Sequence, residues 1–329
     1  MQRRDFLAAL AGIVATKPGA SLAQQSERVA HIGVLMHASA NEPEPKARLA
    51  AFVQGLQEAG WSDGRNLRVD TRWSTGDQAR LYKDAVELMA LHPDAVLAGV
   101  GATTPALQQA SRVIPIIFAQ GIDPVGAGYV ESLNGPGGNA TGFIQLEFEL
   151  AGKWLELLKE VAPGVTRAAV LREPGTAGVG QWTIIQAVSH SLGVELRPIR
   201  LETTPNEIER AISAFAQEPN SALVVVVSAA ALTHRDLIIA LAARYRLPTV
   251  YPYRELVAAG GLITYSADIT RQYKRAAGYV DRILKGENPA NMPVQAPTKY
   301  DLVINLKTAK ALGLTLPGAL LARADEVIE

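Results

Sequence analysis

The feature that most constrains this chain is an alternation running along nearly its whole length. Short apolar runs of strand length are each followed by a stretch whose apolar residues share one helical face. The runs fall at 32–36, 67–71, 95–100 and 114–118, and again at 168–171, 196–201, 222–228, 249–251 and 262–266. Several are continuously apolar, as strands are when helices cover both faces of a parallel sheet. Between them, Leu49, Phe52, Val53 and Leu56 recur at helical spacing before Gly60. Trp154, Leu157, Leu158 and Val161 repeat the pattern, as do Ile208, Ala211, Ile212 and Phe215. The last of these stretches opens on a capping box, with Thr204 at the cap, Pro205 in the first turn and Glu207 as partner. A fourth stripe, Tyr273, Ala276, Ala277, Val280 and Leu284, is closed by Gly286. Strand–helix–strand order at this density predicts an open, doubly wound α/β sheet.

The rhythm breaks once. Residues 123–142, DPVGAGYVESLNGPGGNATG, are rich in glycine, and the strand–helix pattern restarts at Phe143. Glycine absorbs large φ/ψ changes without Cβ strain, which suits a crossing between bodies. The expectation is two Rossmann-like lobes joined by a hinge. Lobe 1 takes 30–142 plus about 267–329, with ownership of 300–329 left open, and lobe 2 takes 143–266. The chain is expected to cross back near 265–268, because the Tyr273 helix would otherwise overfill lobe 2.

The first residues have a different character. Arg3-Arg4-Asp5-Phe6-Leu7 leads into an apolar run ending at Val14, and Ser21-Leu22-Ala23 follows. A charged start, a short apolar stretch and a small-x-small site predict a twin-arginine-type signal peptide over 1–23. The apolar run is shorter than the about 20 residues a membrane span needs. The expected product is therefore periplasmic and soluble, with no membrane insertion after signal removal. The chain has no cysteine, which excludes disulfides, thiolate nucleophiles and Cys-ligated zinc. Without the leader's three basic residues and one acidic residue, 32 and 32 become 29 and 31, a net charge of −2. Such a balance has no electrostatic footprint for nucleic acid.

Catalytic signatures are missing as well. There is no G-x-S-x-G elbow, no Walker loop, and no G-x-G-x-x-G after the first strand. The five histidines lack partners at metal-ligand spacing. No cofactor and no metal are expected. What remains is a set of polar and aromatic residues just beyond the strands, where ligands bind in doubly wound sheets. In lobe 1 these are Ser39, Thr103, Thr104, Gln120 and Asp123. In lobe 2 they are Glu173, Ser228, Tyr251, Tyr253 and Tyr265, with Asp268 following. Each also has a structural reading. Thr104 and Asp268 suit helix caps, Glu173-Pro174 and Asp123-Pro124 suit turns, and the tyrosines suit half-buried packing. As a set they suit one cleft that holds a small zwitterion. Hydroxyls and helix N-termini would hold a carboxylate, Asp123 or Asp268 an ammonium, and tyrosine rings an apolar body.

Longer stretches carry a family resemblance. They include Ile32-Gly33-Val34-Leu35, FVQGLQEAG at 52–60, Gly64-Arg65-Asn66-Leu67, Arg72-Trp73, Ile114-Pro115-Ile116, Asp123-Pro124-Val125 and Ser132-Leu133 with PGGNATG. Leu247-Pro248, Gly260-Gly261-Leu262, the run from Tyr279 to Pro317 and the closing LARADEVIE continue it. Together these resemble the ABC-transporter substrate-binding proteins of the tryptophan/tyrosine-permease type. Where such relatives carry Asn-Pro and Ser-Tyr-Gly, this chain has Glu173-Pro174 and Thr264-Tyr265-Ser266. The resemblance implies a fold like that of type I periplasmic binding proteins and no enzymatic activity. It also implies a small organic solute, such as an amino acid and among these an aromatic one, delivered to a membrane permease. A sensor module signalling to a membrane receptor is the alternative, and an α/β enzyme ranks below both.

Overall fold

The computed structural model describes residues 29–75, 78–145, 147–201 and 204–329. The proposed signal peptide lies outside them. In chain order the first elements are β1 (Ala30–Met36), α1 (Pro43–Glu58), β2 (Leu67–Trp73), α2 (Gln78–Met89), β3 (Ala95–Ala98), α3 (Thr103–Ala110), β4 (Ile116–Gly121) and β5 (Ala140–Ile144). Next come α4 (Leu150–Val161), β6 (Arg167–Arg172), α5 (Thr176–Ser189), β7 (Glu195–Arg200), α6 (Pro205–Phe215), β8 (Ser221–Val225), α7 (Ala229–Thr233), α8 (Arg235–Arg244), β9 (Thr249–Tyr251), α9 (Arg254–Ala258) and β10 (Ile263–Ala267). The chain ends with α10 (Ile269–Leu284), a 3-10 turn at Pro289–Asn291, β11 (Tyr300–Asn305), α11 (Leu306–Ala311), α12 (Gly318–Arg323) and β12 (Glu326–Ile328).

The strands form two sheets. A five-stranded parallel sheet has the order β2-β1-β3-β4-β5, and a seven-stranded sheet the order β12-β11-β10-β9-β8-β6-β7. The second is parallel except where β11 runs antiparallel to β10. Each sheet is the centre of one lobe. In the first lobe, Ile32, Val34 and Met36 pack on one side with Phe52 and Leu56 of α1 and with Tyr273, Ala276 and Val280 of α10. Leu35, Val96 and Ala98 pack on the other side with Leu81 and Leu88 of α2 and Leu107 of α3. Burial on both faces is why these strands are continuously apolar. At about 25 cal/mol per Å² of apolar surface, that burial is the main favourable term in their folding.

The chain passes between the lobes three times: after β5, between β10 and α10, and between the Pro289–Asn291 turn and β11. The glycine-rich stretch does not itself cross. It folds back on itself, with the Glu131 amide donating to Pro136 O at 2.9 Å, and then feeds β5. β5 pairs with β4, so the first crossing falls beyond Ile144 rather than at Gly142. Gly142 is needed within β5, because at φ +149° an added Cβ would lie 2.0 Å from Phe118 O. The last 30 residues, whose lobe the sequence left open, join lobe 2. β11 adds to β10 and β12 adds to β11, so both belong to the seven-stranded sheet and not to lobe 1. The helix α10 does return to lobe 1, where it lies against α1. Before the third crossing, the Gln295 amide donates to Gly142 O, and Gln295 O accepts from Ile144, which pins the connecting segment to β5.

Candidate functional site

The parallel strands of both sheets end toward the interlobe face, so that face collects the loops that follow them. Five buried polar atoms on the lobe 1 side lack a partner among the described residues: His37 Nδ1 beyond β1, Arg48 Nε on α1, Ser74 Oγ beyond β2, Thr104 Oγ1 in the first turn of α3 and Gln272 Oε1 on α10. Ser74 is held there by its amide, which donates to Met36 O at 2.8 Å. Native proteins pair nearly all buried polar atoms, so each open one is a place for water or solute.

Across the gap, a cavity of about 440 Å³ is lined by residues of both lobes. Glu44 and Arg48 come from α1, and Ile269 and Thr270 from the start of α10. Tyr253, Arg254 and Glu255 come from the loop and helix after β9, and Asp301 from β11. Arg48 is the side chain that ties the two walls. It is 7% exposed, and its Nη2 donates to Glu255 Oε1 at 2.7 Å. Burial alone would lower its pKa, but Glu255 more than offsets this and the pKa is raised. Tyr253 is buried beside Gln145 on the first crossing, and burial pushes its phenol well above the usual tyrosine range.

Of the residues expected from the sequence, Tyr253 and Asp268 line this cavity. Asp268 also acts as the N-cap of α10, its Oδ1 accepting from the Arg271 amide at 3.1 Å. Ser39 forms the turn into α1, its Oγ accepting from the Asn41 amide at 3.2 Å. Thr103 donates to Val100 O at 2.6 Å, so Thr103 and not Thr104 secures the start of α3. Gln120 is buried under α10, where its Nε2 donates to Tyr273 Oη at 3.3 Å. Asp123 sits in the left-handed region at φ +46° and accepts from the Gly126 amide, forming the turn its sequence suggested. Glu173 and Ser228 meet at the start of α7, accepting from the amides of Ala230 at 2.8 Å and Ala231 at 3.1 Å. Tyr265 packs on Tyr300, ring centroids 5.7 Å apart, at the edge of the third crossing. Tyr251 points elsewhere: its ring lies over Gly261 and lines a cavity at the opposite end of the larger sheet, remote from the interlobe face.

Sequence reasoning missed Arg48, Glu44, Glu255 and Asp301. Arg48 did carry a signal. It lies on the same helical face as Phe52, Gly55 and Leu56, where a lone cation amid apolar residues is unusual. The acidic residues had none, because exposed and cavity-lining carboxylates look alike in a sequence.

Among the described residues no group of acidic or histidine side chains is arranged to hold a metal ion. No described helix is long and apolar enough to cross a membrane.

The arrangement can be set beside known proteins. A crystal structure of an ABC domain in complex with L-Trp from Streptococcus pneumonia superposes with a TM-score of 0.83 at 26% identity, covering 91% of this chain and 99% of that one. A conserved domain protein from Vibrio cholerae gives a TM-score of 0.82 at 28% identity, covering 91% and 100%. A tyrosine-binding protein of Clostridioides difficile is 24% identical over 266 residues, 80% of this chain and 75% of that one. The chain shares the fold of type I periplasmic binding proteins with these structures. The family described as ABC transporter substrate binding protein matches residues 34–328. Its match spans both lobes and all three crossings, and the chain belongs to that family.

Proposed function

We propose that this protein is an exported, periplasmic component of an ABC importer. It holds an amino acid, or a close relative of one, between its lobes and passes it to a membrane permease. The observation that carries this reading is the cavity whose walls come from both lobes. A solute there touches both walls only when they are together, so its binding energy favours the shut form, and a docking permease can sense that form. The L-Trp complex and the tyrosine-binding relative support an amino acid as the class. The twin-arginine pattern read in residues 1–23 supports export.

Native mass spectrometry of the protein as purified tests the proposal directly. The expected result is a retained mass of amino-acid size that is released on denaturation. A protein that comes with no bound solute, and takes up none from an amino-acid mixture, would contradict the reading.

A further inference from the structure

The interlobe cavity is strongly acidic, and this deepens the solute-binding reading, on which it rests. Six carboxylates line it: Glu44, Glu255, Asp268, Asp301, Asp325 and Glu326. Three cations line it too, and each is already engaged. Arg48 bonds Glu255. Arg254 grips Glu326 at two points, 2.7 and 2.6 Å. Lys299 lies 2.5 Å from Asp301 and 2.9 Å from Asp325. The cavity wall is left with a formal surplus of three negative charges. The surplus sits partly on exposed side chains, Glu44 and Asp325 among them, so it acts on a solute as a field that salt screens.

A second, independent observation concerns a donor. Arg48 spends Nη2 on Glu255, while its buried Nε–H meets no acceptor among the described residues. An open donor on a buried cation is costly, so the solute atom seated against it should be an oxygen acceptor. Apolar lining, by contrast, is sparse. Among the described residues Tyr253 is the one aromatic ring lining the cavity, with Ala267, Ile269 and Val303 also on its wall, and no second ring lines it to sandwich an indole or phenol.

We infer that the preferred solute carries a net positive charge. Its ammonium or guanidinium group meets the carboxylates, and its carboxylate or carbonyl oxygen meets Arg48 Nε. The class is a basic amino acid or a close relative, in place of the aromatic amino acids bound by the similar proteins.

Isothermal titration of the full protein with L-lysine, L-arginine, cadaverine, L-tyrosine and L-glutamate tests this. L-Lysine or L-arginine should bind about tenfold or more tighter than L-tyrosine and L-glutamate, with affinity falling as salt is added. Cadaverine, which lacks the acceptor, should bind more weakly than L-lysine. Glu44→Gln should weaken L-lysine about threefold to tenfold, with the ligand-free melting temperature unchanged because Glu44 is exposed. L-Tyrosine or L-glutamate binding as tightly as L-lysine would overturn the inference. So would unchanged L-lysine affinity in both Glu44→Gln and Asp301→Asn. L-Tyrosine binding with L-lysine silent would remove the inference and keep the solute-binding reading. Silence from every probe would remove the inference as well, and the retained mass of the purified protein would then judge the reading separately.

Discussion

A cation on the buried stripe of an amphipathic helix is unfavourable unless something answers it, and Arg48 is answered from the other lobe. Its bond to Glu255 joins residues 207 positions apart in the chain. Truncating one member of such a pair leaves the other poorly solvated. Arg48→Ala is expected to lower the unfolding free energy by about 2 kcal/mol, read from urea denaturation midpoints. Asp70 offers a test by pH. Burial would raise its pKa, but hydrogen bonds from Arg68 and His31 outweigh that and hold it below the usual value. A carboxylate with a depressed folded pKa stabilises above its unfolded value, about 3.9, and that contribution is lost as pH falls through the folded one. Asp70→Asn should therefore cost up to about 1 kcal/mol at neutral pH, with the gap to the parent closing in acid. Single residues were the least legible level of this protein. Thr104 and Asp268 both invited helix caps, and only Asp268 became one.

The helices α1 and α10 show what an element needs from its neighbours. They meet where Gly55 lies against α10, and an added Cβ would fall 2.7 Å from Lys274 O and 2.8 Å from Ala277 Cβ. Gly55→Ala should destabilise by about 1–3 kcal/mol, because the backbone it meets cannot move cheaply. Gly278, exposed within α10 and with open space around its Cβ position, should behave oppositely. Gly278→Ala is expected to stabilise by about 0.5–1 kcal/mol through helix propensity. Thermal melts of the two variants, side by side, check the pair. Element existence was the most legible level. The capping box at Thr204 is present as read, with Thr204 Oγ1 accepting from the Glu207 amide and Glu207 returning the bond to the Thr204 amide. Nothing in the sequence separates Gly55 from Gly278, because each is a glycine inside a good helix and only packing tells them apart.

At the scale of the whole molecule, the described residues form two sheets, three connections and the contacts that bridge the gap. The Arg48–Glu255 bond is one that an opening motion must break. Glu255→Gln is expected to shift the ligand-free protein toward an open form, seen as a larger radius of gyration in small-angle scattering. A bound solute should act in the opposite sense. At a hundredfold excess over its dissociation constant it should raise the unfolding free energy by about 2.7 kcal/mol, visible as a higher melting temperature.

Periodicity alone determined the alternating strands and helices and the parallel character of the sheets. These follow from local spacing, because each strand and helix must bury one face or two. Sheet membership of β11 and β12, the point of first crossing, the turning away of Tyr251 and the recruitment of Arg48 were decided only by tertiary structure. Each depends on which distant segment lies alongside, and chain spacing carries no record of that. The acidity of the cavity is of the same kind: a near-neutral composition holds equal numbers of either sign, and only folding gathers a surplus of one sign around a single space.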